Sequence, residues 1–242
     1  MIKSNVAPPS LFERLTDKYP EISVQLTDQY RMNNDILKLS NQCVYQNIIK
    51  CANNQVESQR LKIDLDRVKK YQKNVKNTWL NEVLDPDRPV IFIDYLDFIN
   101  KEKPEFLNTH SDSNAIECDI VVAIIHALKN TKFDLDNVGI ITPYKAQENL
   151  LLSKLCESDF YNVYTIDKSQ GLEKEVIIIS FVKINKRTKL LKDLSRINVA
   201  FTRPKSKLIL VGLIDCLNEI EKLKNYIDVI KREGWCYKID KV

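Results

Sequence analysis

Glycine is scarce. The 242-residue chain has four, Gly139, Gly171, Gly212 and Gly234. A phosphate-cradling P-loop needs two glycines five positions apart, followed by Lys and Ser or Thr, so these four cannot build one. No acidic box of the DEAD or DEAG type is present either. Histidine is scarcer still, with His110 and His126 alone. The six cysteines (Cys43, Cys51, Cys118, Cys156, Cys216 and Cys236) include no C-x-x-C pair, which excludes zinc-finger spacing and predicts no metal site. With no signal peptide evident, scattered thiols of this kind are expected to be reduced, intracellular and mostly in the core. The longest apolar runs, such as Val176–Ile179 and Leu208–Val211, fall far short of the ~20 residues that cross a bilayer. Internal repeats and low-complexity tracts are lacking as well.

What is present is a core and a balanced charge. Hydrophobic residues make up 44% and charged residues 29%, which excludes wholesale disorder. Lys and Arg number 37 against 33 Asp and Glu, a net charge of +4. That balance permits a nucleic-acid partner without requiring one.

Short β-branched runs alternate with amphipathic stretches. Strands are expected at Ile22–Leu26, Pro89–Asp94, Val138–Thr142, Asn162–Ile166, Val176–Val182 and Lys207–Gly212. Helices are expected at Asn33–Tyr45, Asn114–Leu128, Lys145–Cys156 and Leu217–Lys231. Several strands are apolar throughout, as strands covered on both faces are. The alternation predicts an α/β fold with a mostly parallel sheet flanked by helices. Cys51–Lys76, rich in Lys, Gln, Asn and Asp, is expected to be a solvated helix or an extended surface insertion. Residues 1–10 are expected to be a lead-in, 11–216 the domain, and 217–242 a C-terminal helix and tail.

Ligands of parallel sheets gather at the carboxyl ends of strands. Three expected strand ends carry polar clusters, Thr27–Met32, Thr142–Gln147 and Thr165–Glu173, and a fourth cluster, Ser195–Pro204, precedes the last strand. By position alone the four are expected to face one crevice.

The clusters resemble the C-terminal motor motifs of superfamily-one helicases. Gln29-Tyr30-Arg31-Met32 is similar to the fourth motif, Thr165–Glu173 to the fifth and Arg196–Arg203 to the sixth. Gly139–Tyr144 is similar to the motif between the fourth and fifth. Within the 5′-to-3′ branch, which includes the RNA-decay helicase, the closest resemblance is to the eukaryotic DNA replication helicase/nucleases. Leu11–Leu15, Val24–Asn33, Trp79-Leu80, Pro86, Pro89–Phe92 and Leu190–Asp193 carry it. The chain departs from the pattern at Ser195, Pro204 and Lys183, where the family has Arg, Ala and Arg.

The resemblance implies a RecA-like domain of the P-loop NTPase type without its own P-loop, the second motor domain of a helicase acting in DNA replication and repair. ATP with Mg²⁺ would lie against a first RecA-like domain supplied by a preceding part of a longer protein, which would also hold the family's nuclease and iron–sulfur cluster. Arg31 and Arg203 would be the catalytic arginine fingers. A guanidinium stays charged and offers phosphate a fork of donors; the alternative for each is a surface salt bridge. Glu173 would contact the nucleotide ribose, Gly171 would allow the turn that brings it in, and Gln170 would link nucleotide and DNA sites. Arg196 either braces the nucleotide or pairs with Asp193. Thr142 and Thr165 would donate to DNA phosphates or cap strand ends. Tyr144 would stack on a base or be an ordinary half-buried tyrosine. Lys145 and Lys168 would add attraction for DNA or be merely solvated. The implied partner is single-stranded DNA and the implied location the nucleus, with the mitochondrion as a second; no membrane is involved. Two rivals stay open. One is an RNA-directed relative. The other is a non-enzymatic module that binds a single strand or a partner.

Overall fold

The computed structural model describes residues 10–75, 78–104, 111–156, 160–182, 191 and 193–242. Expectations resting on Pro8-Pro9, Lys76, Lys183, Leu190 and Lys192 lie outside the described residues. In chain order the elements are α1 (Leu11–Lys18), β1 (Asp28–Gln29), α2 (Asn34–Cys43), β2 (Lys50–Cys51), α3 (Asn54–Glu57), α4 (Leu65–Val75) and α5 (Leu80–Val83). Then come β3 (Val90–Asp94), α6 (Leu96–Glu102), α7 (Ala115–Asn130), β4 (Val138–Thr142), α8 (Lys145–Leu155), β5 (Val163–Thr165) and β6 (Lys174–Ser180). The chain closes with α9 (Leu194–Phe201), β7 (Pro204–Gly212), α10 (Ile214–Asn218), α11 (Glu221–Arg232) and β8 (Cys236–Lys238).

Six strands form one parallel sheet in the order β5-β4-β6-β7-β3-β8. Successive side chains of a strand point to opposite faces, and here both faces are apolar. Ile91, Ile93, Ile178, Ile209 and Val211 pack against one helical layer that includes α7 and α8. Val90, Phe92, Ile177, Ile179, Leu208 and Leu210 pack against the other, built from α2, α9 and α11. The expected α/β class with a parallel sheet is the one observed. Helix starts follow the side chains that cap them: Asn33, Asn114 and Asp193 accept from the first-turn amides of α2, α7 and α9, as short polar side chains do at N-caps.

Five expectations are corrected. Ile22–Leu26 is not a strand: Pro20–Ile22 is a 3₁₀ turn, and Val24 and Leu26 are 84% and 82% exposed. Its alternation of apolar residues is strand-like, but among the described residues no strand pairs with it, and pairing begins only at β1, against β2. Leu217–Lys231 is two helices, because Ile220 takes an extended backbone (φ −88°, ψ 106°) between them. The stretch Cys51–Lys76 is not simply solvated: Leu61 and Val68 are buried in the core, and α4 packs on α5 and α7. Ser10, expected in the lead-in, caps α1 in a reciprocal box with Glu13. Residues 217–242 supply α11 and also β8, an edge strand paired with β3 that the sequence did not announce.

None of the six cysteines is in a disulfide; Cys118 is buried, Cys156 exposed and the other four intermediate. Burial pushes the Cys43 thiol up to about 12 and the Cys118, Cys216 and Cys236 thiols to about 11.

Glu117 of α7 is enclosed at the carboxyl end of β6. Its carboxyl accepts from Tyr95 Oη at 2.9 Å, Ser180 Oγ at 2.6 Å and the Val182 amide at 2.9 Å. Asn114 Nδ2 donates to Tyr95 Oη and to the Val182 carbonyl. Val182 is thereby held on both sides at φ +71°, a strained setting for a β-branched residue. Burial raises the Glu117 carboxyl to about 7, against the hydrogen bonds that favour its charged form. The unfolded chain releases this proton near the ordinary value of 4.5, whereas the folded chain keeps it until about 7. Between those values the folded state binds more protons, so stability falls as pH rises through this window. Urea midpoints from pH 4.5 to 7.5 should therefore decline for the parent relative to Glu117→Gln, by a difference on the order of 3 kcal/mol at most. Parallel curves would mean that Glu117 titrates as an ordinary glutamate.

Candidate functional site

The turn after β1 is built by one side chain. Gln29 Oε1 accepts from the amides of Arg31 (2.8 Å) and Met32 (2.7 Å), and its Nε2 donates to the Met32 carbonyl (2.7 Å). Arg31 leaves this turn toward the amino-terminal edge of the sheet. Its Nε meets Glu173 Oε2 at 3.1 Å, and Nη1 donates to the Thr202 carbonyl at 3.1 Å. Lys205 Nζ lies 3.0 Å from the other Glu173 oxygen. Lys205 and Arg31 hold the Glu173 carboxyl below the usual carboxylate range. Gly171, two residues earlier, sits at φ +84°, a left-handed conformation that glycine adopts without strain.

Arg203 follows α9. Its Nε donates to Val199 O (2.7 Å), Nη1 to Leu172 O (3.4 Å) and Nη2 to Thr202 Oγ1 (3.1 Å). A cation among the last carbonyls of a helix is favoured by the helix dipole. Burial, and then the charge of Arg31, push the Arg203 pKa down, which places the two guanidiniums within each other's field. Each keeps donors to spare: a guanidinium has five N–H groups, and these bonds engage two on Arg31 and three on Arg203. Three cations, Arg31, Arg203 and Lys205, thus gather at an edge with two carboxylates, Glu173 and Glu175, the latter accepting from Ser206 Oγ at 2.6 Å. That surplus of positive charge can take up phosphate oxygens.

Thr142 and Thr165 lie elsewhere. They end β4 and β5, side by side in register, at the carboxyl edge. Thr142 is level with Ser180 of β6, while Glu173 immediately precedes that strand. Seven residues of strand separate them by roughly 20 Å. The four clusters therefore do not share one crevice. In a parallel sheet, a residue before its strand and a residue after its strand fall on opposite edges. The stretch from Ile166 to Leu172 runs between the two edges and carries Gln170, which is exposed.

Thr142 is fully buried, its Oγ1 accepting weakly from the Tyr144 amide at 3.5 Å, which is the strand-end capping alternative. Tyr144 is buried rather than half-buried. Thr165 is half-buried. Lys145 and Lys168 both reach Glu148, at 2.6 and 3.2 Å. Arg196 pairs with Asp193 (3.5 Å) and also with Asp167 (3.3 Å). Ser169 Oγ donates to the Ile166 carbonyl.

Sequence reasoning missed Lys205, Glu148 and Asn198. Lys205 lies just outside the sixth motif, which could have pointed to it. Glu148, 3% exposed, follows the quoted cluster by one position. Asn198 donates from Nδ2 to Tyr45 Oη (2.8 Å) and accepts from Tyr226 Oη (3.3 Å), pinning α9 to α11 and to the end of α2. Among the described residues no cluster of His, Cys, Asp and Glu could hold a metal ion, and no helix is long and apolar enough to cross a membrane.

Residues 8–215 match the family model described as an AAA domain. The chain is 33% identical over 240 residues to the DNA replication ATP-dependent helicase/nuclease DNA2 of Saccharomyces cerevisiae, covering 94% of this chain and 15% of that protein. The Xenopus laevis protein of the same name is 36% identical, over 94% of this chain and 22% of its own length. The human one is 35% identical, over 90% and 21%. The resemblance to the replication helicase/nucleases is thus met, and the chain spans about a fifth of the length of the relatives it matches.

The Arg31–Glu173–Lys205 cluster is half exposed, so it should add little to stability. Glu173→Gln should lower the unfolding free energy by no more than about 1 kcal/mol, and by less at high salt, where exposed pairs are screened. A loss of several kcal/mol in urea titrations would mark the carboxylate as a structural group.

Proposed function

Since the chain belongs to the AAA-domain family, we propose that it is the second motor half of an ATP-dependent DNA helicase/nuclease. Residues 11–216 are the RecA-like part, and a first RecA-like domain in the longer protein supplies the P-loop and the Mg²⁺ ligands. The observation that carries this reading is the surplus of cations around Glu173 at one sheet edge. Arg31, from the turn after β1, and Arg203 and Lys205, at the start of β7, converge there from two segments far apart in sequence. Relatives named as DNA replication helicase/nucleases favour DNA over RNA as the strand.

ATP supplies the phosphoryl group whose transfer to water drives such a motor. Arg31 and Arg203 would hold its oxygens and neutralise the charge that builds up in the transition state. Glu173 suits a ribose hydroxyl, since a carboxylate accepts from both of them, and Gly171 lets the backbone present it. Arg196 would brace the Asp167–Ser169 turn from α9. At the carboxyl edge, Thr165 is the more accessible phosphate donor; Thr142 and Tyr144, buried here, would shape the floor of a single-strand groove. Lys145 and Lys168 would lend it positive charge, and Gln170 lies between the edges as their link. The relatives' names speak of DNA replication; repair, a nuclear location and a mitochondrial pool are further parts of this proposal. The family's iron–sulfur cluster and nuclease would lie outside this chain.

Two measurements test the reading. The chain alone should hydrolyse no ATP above background with single-stranded DNA present; turnover that tracks the protein through purification would sink the half-motor reading. In the intact two-domain motor, Arg203→Ala should reduce turnover by about 10³–10⁵, the worth of an arginine finger. Arg203→Lys should recover part of it, because ammonium keeps the charge and loses the fork. Turnover within a few-fold of the parent would leave Arg203 as a helix cap.

A further inference from the structure

Gln59 lies between α3 and α4, in the stretch read as a charged insertion, and no motif includes it. Its side-chain amide reaches two other segments at once. Nε2 donates to the Arg31 carbonyl and, at 3.0 Å, to the Lys205 carbonyl. Asn33 reinforces the same junction. Its amide donates to Lys205 O (3.0 Å), and its Nδ2 donates to Gln59 O (3.1 Å) and Ser206 O (3.0 Å). Of these ties, the one from Gln59 grips the carbonyl of Arg31 itself, while its second proton holds the chain two residues past Arg203.

We propose that Gln59 is a positioning residue that sets the spacing between Arg31 and Arg203 and so the fit of the pair to a phosphate chain. This rests on the reading of the two arginines as phosphate ligands. Two guanidiniums on one edge repel each other. Glu173 bridges Arg31 to Lys205, but no hydrogen bond or ion pair joins it to Arg203. Arg31 Nη1 also reaches the Thr202 carbonyl, but a phosphate arriving at the guanidinium competes with both of these charged ties, whereas the neutral amides of Gln59 and Asn33 hold the two backbones whether or not it is bound. A primary carboxamide suits the task, because one nitrogen carries two protons that diverge toward two carbonyls. Glutamate would set acceptor against acceptor. Asparagine is a methylene too short to span both.

The chain itself gives the first test. In Gln59→Leu, hydrogen exchange at the Asn33 amide should rise at least about tenfold, with the melting temperature within a few degrees of the parent. In the intact motor the same variant should lose about 10- to 100-fold in kcat while KM for ATP moves less than about threefold, since displacing catalytic groups by about 1 Å can cost two decades. Gln59→Asn, with less change of character, should fall between. In a double-mutant cycle the losses of Gln59→Leu and Arg203→Ala should not add, because one acts through the other. Unchanged exchange at Asn33 would show that Gln59 tethers nothing. Raised exchange with kcat within twofold of the parent would overturn the positioning role. So would a loss of turnover that, in the leucine and asparagine variants alike, follows loss of the fold. If Arg203→Ala alone keeps its turnover, the reading of the arginines fails, whatever Gln59 does.

Discussion

The ladder between β6 and β7 is the constraint on which the candidate site depends. These strands sit at the middle of the sheet, and their pairing runs from Lys174↔Pro204 to Ser180↔Val211, with a shift in register between Lys174 and Val176. The first pair of that ladder places Glu173 next to Arg203, because each immediately precedes its strand. A slip of one residue would turn Leu208 and Leu210 away from the α2 and α9 face and toward α7. The apolar burial that stabilises the sheet thus also fixes which polar residues meet at its amino edge.

That edge is electrostatically unbalanced, and the surrounding fold bears the imbalance. Gln29 and Gln59 hold the Arg31 loop through backbone groups, and Asn198 holds α9, the helix that Arg203 follows. These are neutral amides. A hydrogen bond from an amide keeps its geometry when an anion arrives, whereas an ion pair would compete with that anion for the same cation. Preorganisation by neutral groups is what a site needs if its charges are to be spent on a ligand.

Much of the fold was legible because strands buried on both faces are continuous apolar runs; five of the six expected strands are present, four of them by that rule, while β5, Val-Tyr-Thr at the sheet edge, is only partly buried. Ile22–Leu26 failed for a reason no local pattern contains: a strand needs an edge to pair with. The three residues of β8 are too few to show periodicity, and Ile220 carries no breaker residue to mark the split between α10 and α11. At the site, the motifs brought Arg31, Glu173 and Arg203 into one list, and the structure brings them into one place. Burial of Thr142 and Tyr144 was not readable, since a polar residue at a strand end can face either way. The division into two edges was implicit in residue order, Glu173 before its strand and Thr142 after its own, once the strands were known to be parallel. Gln59 had no signal at all, being one glutamine in a polar stretch, significant only for the two carbonyls it finds.

The cysteines carry a practical consequence. A thiol reacts with electrophiles as thiolate, and burial keeps Cys43, Cys118, Cys216 and Cys236 well above neutral pH in their protonated form. Cys156 alone is exposed, just past the end of α8. α8 starts at the carboxyl end of β4 and returns across the sheet, so this thiol comes out at the amino edge, on the face opposite α2 and α9. The wild-type sequence therefore already contains a handle for a maleimide dye, on the same edge as the arginines and behind them. Spectroscopy of that edge could begin without engineering a single cysteine.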